Sequence, residues 1–247
     1  MGTVFSFDIR APRCRELTLA LAEAVAWLHY VDSRFSTYKP DSQISRLANG
    51  SLTLAECDLV VSEVLSRCDD MTEATQGWFT CTPAGRLDPS GFVKGWAIER
   101  ASTILRDAGF TDHCVNGGGD IQVRGESAPG RPWRIGLSDP TDPNHLVAIV
   151  SGQDFAVATS GTSERGRHII DPHTTRPADA LASLTLVGRH LSDVDALATA
   201  AFAMGDAAYA WTHARTDLQA LAVTRDGAIW WTPGLHDVAE LPEPHVP

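Results

Sequence analysis

The stretch 192–205, SDVDALATAAFAMG, sets Asp195 and Thr199 into an alanine-rich run. At helical pitch, residues four apart share a side, so a carboxylate and a hydroxyl oxygen face the same way. Two readings stay open for this pair. One is a helix start, with Ser192 or Asp193 as N-cap, Asp195 favoured by the dipole and Thr199 bonded back to a carbonyl. The other is half of a hard-cation site, since magnesium and calcium take oxygen ligands. Further upstream, FAVATSGTSERGRHIIDPHTTRPA places Thr159-Ser160-Gly161 in a polar turn and crowds His168, Asp171 and His173 behind it. A Ser160/His168/Asp171 hydrolase can be drawn, but no G-x-S-x-G elbow surrounds the serine. His168 reads either as a general base or as a structural histidine.

Three more stretches carry chemistry-bearing residues. In DPSGFVKGWAIERA, Asp88 and Lys94 flank a Ser90-Gly91 turn just before a helix. That turn offers N–H groups and a carbonyl to a ligand, or else Asp88 or Ser90 caps the helix and Lys94 is solvated. Tyr38, in STYKPDS, either stacks on a planar ring or pins its loop. VNGGGDIQVRG holds glycines 117 to 119, followed by a strand where a phosphate loop needs a helix. Both P-loop and Rossmann readings therefore fail, leaving a tight turn, a bulge or a close backbone approach to a flat ligand.

The elements that must position these residues follow from periodicity. Residues 3–9 alternate as a strand, and a helix over 13–31 is marked by Leu17, Leu21, Val25 and Leu28. After Pro40 a short helix capped by Ser42 stops at Asn49-Gly50. Thr53 and Glu56 form a capping box for a second long helix carried by Leu59, Val60, Val64 and Leu65. A third helix buries Val93, Ala97, Ala101, Ile104 and Leu105 and ends at Gly109. Short apolar runs at 113–116, 120–124, 133–137, 146–150, 154–159 and 184–188 read as strands, and LAVTRDGAIWW as a hairpin turning at Asp226-Gly227. Long helices on mostly antiparallel strands make an α+β protein of one domain over 1–241, with a Pro-rich loose tail at 242–247.

The 247 residues suffice for a substantial core. A formal net charge of −11 without any basic run excludes nucleic acid as partner, though a metal can supply positive charge to a phosphorylated ligand locally. Five cysteines without a C-x-x-C pair suggest reduced thiols rather than a disulfide framework or zinc knuckle. No membrane span is seen, and MGTVFSFDIRAP has no signal-peptide pattern, so a cytoplasmic location is expected.

Seven stretches, in order, carry a resemblance: MGTVFSF, DSRFSTYKPDSQISRL, EATQGWF, LDPSGFVKGWAIERA, VNGGGDIQV, VATSGTSERGRHIIDPHTTRP and SLTLVGRHLSDVDALATAAFAMG. Together the chain resembles the ApbE family, the FAD:protein FMN transferases and related magnesium-dependent FAD-cleaving proteins. The resemblance implies a T-fold-like α+β domain. It implies Mg²⁺ held by Asp195, Thr199 and the Gly91 carbonyl, and FAD contacts at Met1, Tyr38, Trp78, Phe79, Thr80, Asp88, Lys94 and Ile170. His168 matches the histidine needed for transfer of FMN to a Thr or Ser of an acceptor protein, with AMP released. The sequence departs from the family pattern in three places: Thr80 stands where an acid is usual, the segment between Thr80 and the Leu87-Asp88 pair is short, and Ala198 replaces an acidic position of some members' metal motif. An FAD pyrophosphatase and a non-catalytic FAD-binding protein are the alternatives.

Overall fold

The computed structural model describes residues 2–142, 144–162, 166 and 169–241. The opening alternation forms β1 (Phe5–Ile9), followed by α1 (Arg15–Phe35), α2 (Gln43–Ala48), α3 (Leu59–Ala74) and α4 (Ser90–Asp107). Strands β2 (His113–Gly117), β3 (Asp120–Arg124), β4 (Trp133–Ser138), β5 (Leu146–Gly152), β6 (Ala156–Gly161) and β7 (Leu181–Gly188) come next. The chain then enters α5 (Leu191–Met204) and α6 (Ala208–His213) and closes with β8 (Gln219–Thr224), β9 (Ile229–Trp231) and β10 (Ala239–Glu240). Among the described residues the named strands form a seven-stranded sheet ordered β1-β2-β3-β6-β7-β8-β9 and a three-stranded one ordered β10-β5-β4. Every pairing between them is antiparallel.

The large sheet is covered on both faces, and strand periodicity sorts its side chains. Ala156, Ala158, Leu184, Leu186, Ala220 and Ala222 join the core shared with the helices. Val157, Val187, Leu221 and Val223 point the other way, against Trp133, Leu137 and Val150 of the small sheet. Small residues on the helix side let α5 lie close to the sheet while α4 covers it from outside. A helix enclosed in this way is apolar all round, which accounts for its run of alanines. Ala196, Ala198, Ala200 and Ala201 have no exposed surface at all.

Two helix stripes differ from the sequence expectation. In α1 the buried residues are Ala20, Ala24, Leu28, Val31 and Phe35, while Val25 is exposed. In α3 they are Val61, Val64, Cys68 and Met71, with Leu59 on the surface. Close helix contact selects the face with small side chains in α1, so the larger leucines sit at the margin. The Thr53–Glu56 capping box is present, but it opens a single 3₁₀ turn at Leu54–Glu56; α3 itself begins after Asp58. Thr159-Ser160-Gly161, expected as a turn, lies in β6 and pairs with β7. The tail 242–247 lies outside the described residues.

Where α4 crosses α5, Gly95 has no substitute. An added Cβ there would lie 2.4 Å from the Leu191 carbonyl oxygen and 2.6 Å from the Asp195 Cβ. Gly95→Ala should therefore lower stability by about 1–3 kcal/mol, the usual cost of overpacking. A fall in the urea midpoint with unchanged slope is the expected reading. An unaltered midpoint would mean that the two helices separate without cost.

Candidate functional site

The loops at one end of the large sheet and the N-terminal turn of α4 enclose a cleft of about 1100 Å³. That is just above the roughly 300–1,000 Å³ usual for small-molecule sites. Tyr38, Trp78, Phe79, Thr80, Asp88, Gly91, Lys94, Ile170, Asp195 and Thr199 all line it, brought together from across the chain. Met1 and His168 lie outside the described residues.

At the floor, α4 meets α5. The Gly95 N–H donates to Asp195 Oδ2 at 2.8 Å. A regular helix assigns that amide to the Gly91 carbonyl, so Asp195 competes for the donor of the oxygen expected to face an ion. Thr199 lies one turn on, its hydroxyl donating to the Asp195 carbonyl at 3.2 Å and keeping its lone pairs. A Cβ on Gly91 would stand 3.4 Å from that hydroxyl oxygen. Of the helix-start reading only the Thr199 back-bond is present, because α5 begins at Leu191 after His190 and Ser192 and Asp193 lie inside it rather than at its N-cap; the Thr199 oxygen still faces α4 near Gly91.

The charges here are unusual. Asp195 is 4% exposed, Asp120 at the start of β3 only 1%. Lys94 Nζ lies 2.5 Å from Asp120 Oδ2 and 4.0 Å from Asp195 Oδ1. The Lys94–Asp120 contact is a short ion pair, and among the described residues no other partner reaches Asp120 Oδ2. Asp120 Oδ1 accepts the Thr159 N–H at 3.2 Å. Burial first, then the Asp120 charge, holds the Asp195 carboxyl well above the ordinary range, and Lys94 and the Gly95 N–H offset this only in part. Two buried carboxylates share one ammonium, and each buried ion costs several kcal/mol, on the order of 3–5 when left unpaired. Carboxylate, hydroxyl and main-chain carbonyl form an all-oxygen donor set with too little positive charge, which fits a hard divalent cation. Among the described residues there is no cluster of three His, Cys, Asp or Glu side chains able to hold a metal by themselves.

The walls are fixed by local hydrogen bonds. Neither Asp88 nor Ser90 is the N-cap of α4, which is Pro89; Asp88 Oδ1 accepts the Ser90 N–H at 3.0 Å in the turn leading into the helix, while its own N–H donates to the Cys81 carbonyl at 2.7 Å. Thr80 folds onto Thr82, whose N–H its hydroxyl accepts at 3.1 Å. Phe79 is buried against Gly91, and Trp78 meets the His173 ring edge-on, 4.4 Å between centroids. Ile170 bridges to Pro177, closing a loop in which Asp171 accepts from the backbone of His173 and Thr174. Asp171 is therefore spent on its own turn. Tyr38 is 81% exposed, its ring free for stacking.

Sequence reasoning overlooked two supports. In the sequence Asp120 is masked by the three glycines before it, which point to the backbone; Gly118 and Gly119 do adopt positive φ, as a β2–β3 hairpin turn. Glu99 carries no sequence signal beyond its place in a helix. It accepts the Ser192 N–H and hydroxyl at 3.0 and 2.7 Å and bonds His190 Nδ1 at 2.7 Å, so it caps α5 from α4. Burial pushes its carboxyl up, but Ser192 and His190 outweigh this and leave it below the ordinary value.

The loop carrying Tyr38 leans on Asp58, which accepts from Arg34 Nε (2.6 Å), Gln43 Nε2 (3.0 Å) and the Tyr30 hydroxyl (3.0 Å). Those bonds, Arg34 first, bring its carboxyl down from 3.8 to about 2.

Comparison with known proteins gives a consistent result. The model of the ApbE family matches residues 1–85 and 82–222. A protein from Rhodobacter capsulatus called FAD:protein FMN transferase is 33% identical over 202 residues, 77% of this chain and 38% of the relative. One of the same name from Vibrio cholerae is 33% identical over 130 residues, 49% of this chain and 39% of the relative. The chain thus spans less than half the length of these curated relatives. Among solved structures, the flavin transferase ApbE from Vibrio cholerae superposes with a TM-score of 0.82 at 23% identity, and an ApbE protein from Thermotoga maritima with 0.81 at 22%. Each superposition covers 96% of both chains, and shows a common fold.

Because the folded carboxyl of Asp58 is depressed, its contribution to stability is complete above the unfolded value of 3.8 and is lost as pH falls through about 2. Asp58→Asn should flatten the pH dependence of the urea midpoint across that window. A variant curve parallel to that of the parent would contradict this anchoring role.

Proposed function

The chain belongs to the ApbE family, and from that premise we propose that it is a magnesium-dependent FAD:protein FMN transferase, linking FMN by a phosphoester bond to a Thr or Ser of an acceptor protein. The observation that carries this reading is the α4–α5 crossing. Asp195, Thr199 and Gly91 meet there on the floor of a cleft whose wall includes the exposed ring of Tyr38. The cleft is large enough for a dinucleotide, and its floor has the donors for a diphosphate-bound cation.

Asp195, Thr199 and the Gly91 carbonyl would hold Mg²⁺, which supplies Lewis acidity and charge neutralisation to the diphosphate. Tyr38 and Trp78 offer aromatic surface to the planar rings, and Asp88 offers a carboxylate oxygen to ring or ribose donors. Lys94, on the first turns of α4, lines the cleft and would offer an ammonium to the phosphates. The acceptor hydroxyl oxygen bonds to the FMN-side phosphorus as that phosphorus loses the bridging oxygen, which departs on AMP. The hydroxyl proton passes to His168 in the role the family resemblance gives it. Walls tied down by Asp88, Thr80 and Asp171 keep the substrate oriented, so most of the catalytic effect is positioning and charge.

A hydrolytic outcome is a second reading, favoured by the short connection from Thr80 to Asp88. Water would then take the place of the acceptor hydroxyl and yield FMN and AMP.

With FAD, Mg²⁺ and a flavin-accepting domain, a fluorescent covalent protein band should form together with one AMP per flavin attached. His168→Ala should slow this by about 10²–10⁴-fold, the range for loss of a general base, and chelation of the metal should stop it. FMN and AMP appearing equally fast without acceptor would instead establish hydrolysis. Unchanged FAD under both conditions would remove both catalytic readings.

A further inference from the structure

The buried charge cluster behind the proposed metal site contains a residue without an assigned role. Asp120 does not line the cleft, and it is 1% exposed. It comes from β3, whereas Asp195 comes from α5 and Lys94 from α4. Lys94 Nζ sits against Asp120, 2.5 Å away, and farther from Asp195, at 4.0 Å. Lys94, by contrast, does face the cleft.

A lysine ammonium beside a divalent-ion site is electrostatically awkward. At a few ångströms in a partly dry interior, one cation raises the free energy of another by more than thermal energy. Yet the proposed chemistry wants both positive groups at one diphosphate. We propose that Asp120 is the positioning residue that makes this possible: its buried carboxylate holds Lys94 on the sheet side of Asp195 and cancels its charge, so that a divalent ion can bind at Asp195 beside it. The proposal rests on the metal reading above.

In this arrangement, the divalent affinity of the protein without FAD follows the net charge of Asp120, Asp195 and Lys94. With Asp195 ionised, as a bound cation requires, the parent cluster carries one net negative charge. Asp120→Asn leaves it neutral, Lys94→Met leaves it with two negative charges, and the double variant restores the parent value. Asn and Met are close in shape to the residues they replace, which limits disturbance of the core.

Mn²⁺ binding to the metal-free protein, measured by calorimetry and by electron paramagnetic resonance, tests this, with circular dichroism checking each fold. Asp120→Asn should weaken binding about tenfold or more, Lys94→Met should strengthen it, and the double variant should return close to the parent. Should one variant fail to fold, the order of the others still decides. Asp120→Asn binding Mn²⁺ as the parent does would overturn the proposal. So would a double variant as weak as Asp120→Asn alone, because a direct ligand, unlike a counter-charge, is not replaced by removing Lys94. Parent protein that binds no Mn²⁺, or binds it equally after Asp195→Ala, refutes the metal site itself and the proposal with it.

Discussion

The hydrogen bond from the Gly95 amide to the Asp195 carboxylate holds the site together. It exists only because α4 carries no side chain where α5 crosses it, the Leu191 carbonyl filling the space a Cβ would need. Backbone and carboxylate at such range fix the relative register of the two helices. That register in turn puts Thr199 opposite Gly91 and aims Lys94 between Asp195 and Asp120. The sheet contributes by being smooth: Ala156, Ala158, Ala220 and Ala222 face the helices, so α5 approaches without being pushed off by larger side chains.

Magnitudes show where selection for function outweighs stability. Exposed pairs such as Arg106–Asp107 and Arg10–Asp8 contribute about 0–1 kcal/mol each. The Asp120–Lys94–Asp195 cluster is different in kind, because removing ions from water costs several kcal/mol apiece. A core of leucine and alanine at these three positions would be the more stable solution. Retaining two carboxylates and an ammonium at the base of a cleft therefore reads as a site built for a charged ligand. The acidic balance of the whole chain is consistent with this, since affinity for an anion then depends on local cations rather than on a general field.

Some of this was legible in the sequence, and the differences have causes. In α4, Val93, Ala97, Ala101, Ile104 and Leu105 are all buried, as the spacing indicates. In α1 the inward stripe runs through Ala20 and Ala24 instead of Leu17 and Val25. Counting large apolar residues misjudges a helix whose neighbour comes close, because contact distance rewards small side chains. Asp195 and Thr199 stood out since nothing else polar interrupts the alanine face. Gly95 did not, because a glycine inside a helix gives no sign of whether it relieves a clash. Thr159-Ser160-Gly161 looked like a turn by composition, but pairing to Thr185, Leu184 and Ser183 makes it strand.

The least legible feature is β3. In Asp-Ile-Gln-Val-Arg the polar residues alternate with apolar ones, a pattern that ordinarily marks one solvated face. Here that face is inside. Ile121 and Val123 enter the core shared with the small sheet. Gln122 accepts the Leu191 N–H at 3.1 Å and donates to the Phe155 carbonyl at 3.1 Å, fastening the start of α5 to the sheet. Two residues away on either side, Arg124 approaches Glu99 at 3.9 Å, and Asp120 holds Lys94. One strand face therefore both docks the N-terminus of α5 and sets the charge next to Asp195. Buried polar groups demand partners with defined geometry. Three of them in a row at a spacing of two fix helix against sheet more tightly than apolar contact alone, which tolerates sliding. The ion site proposed at Asp195, Thr199 and the Gly91 carbonyl would need that constraint, because a shift of about 1 Å is enough to undo coordination.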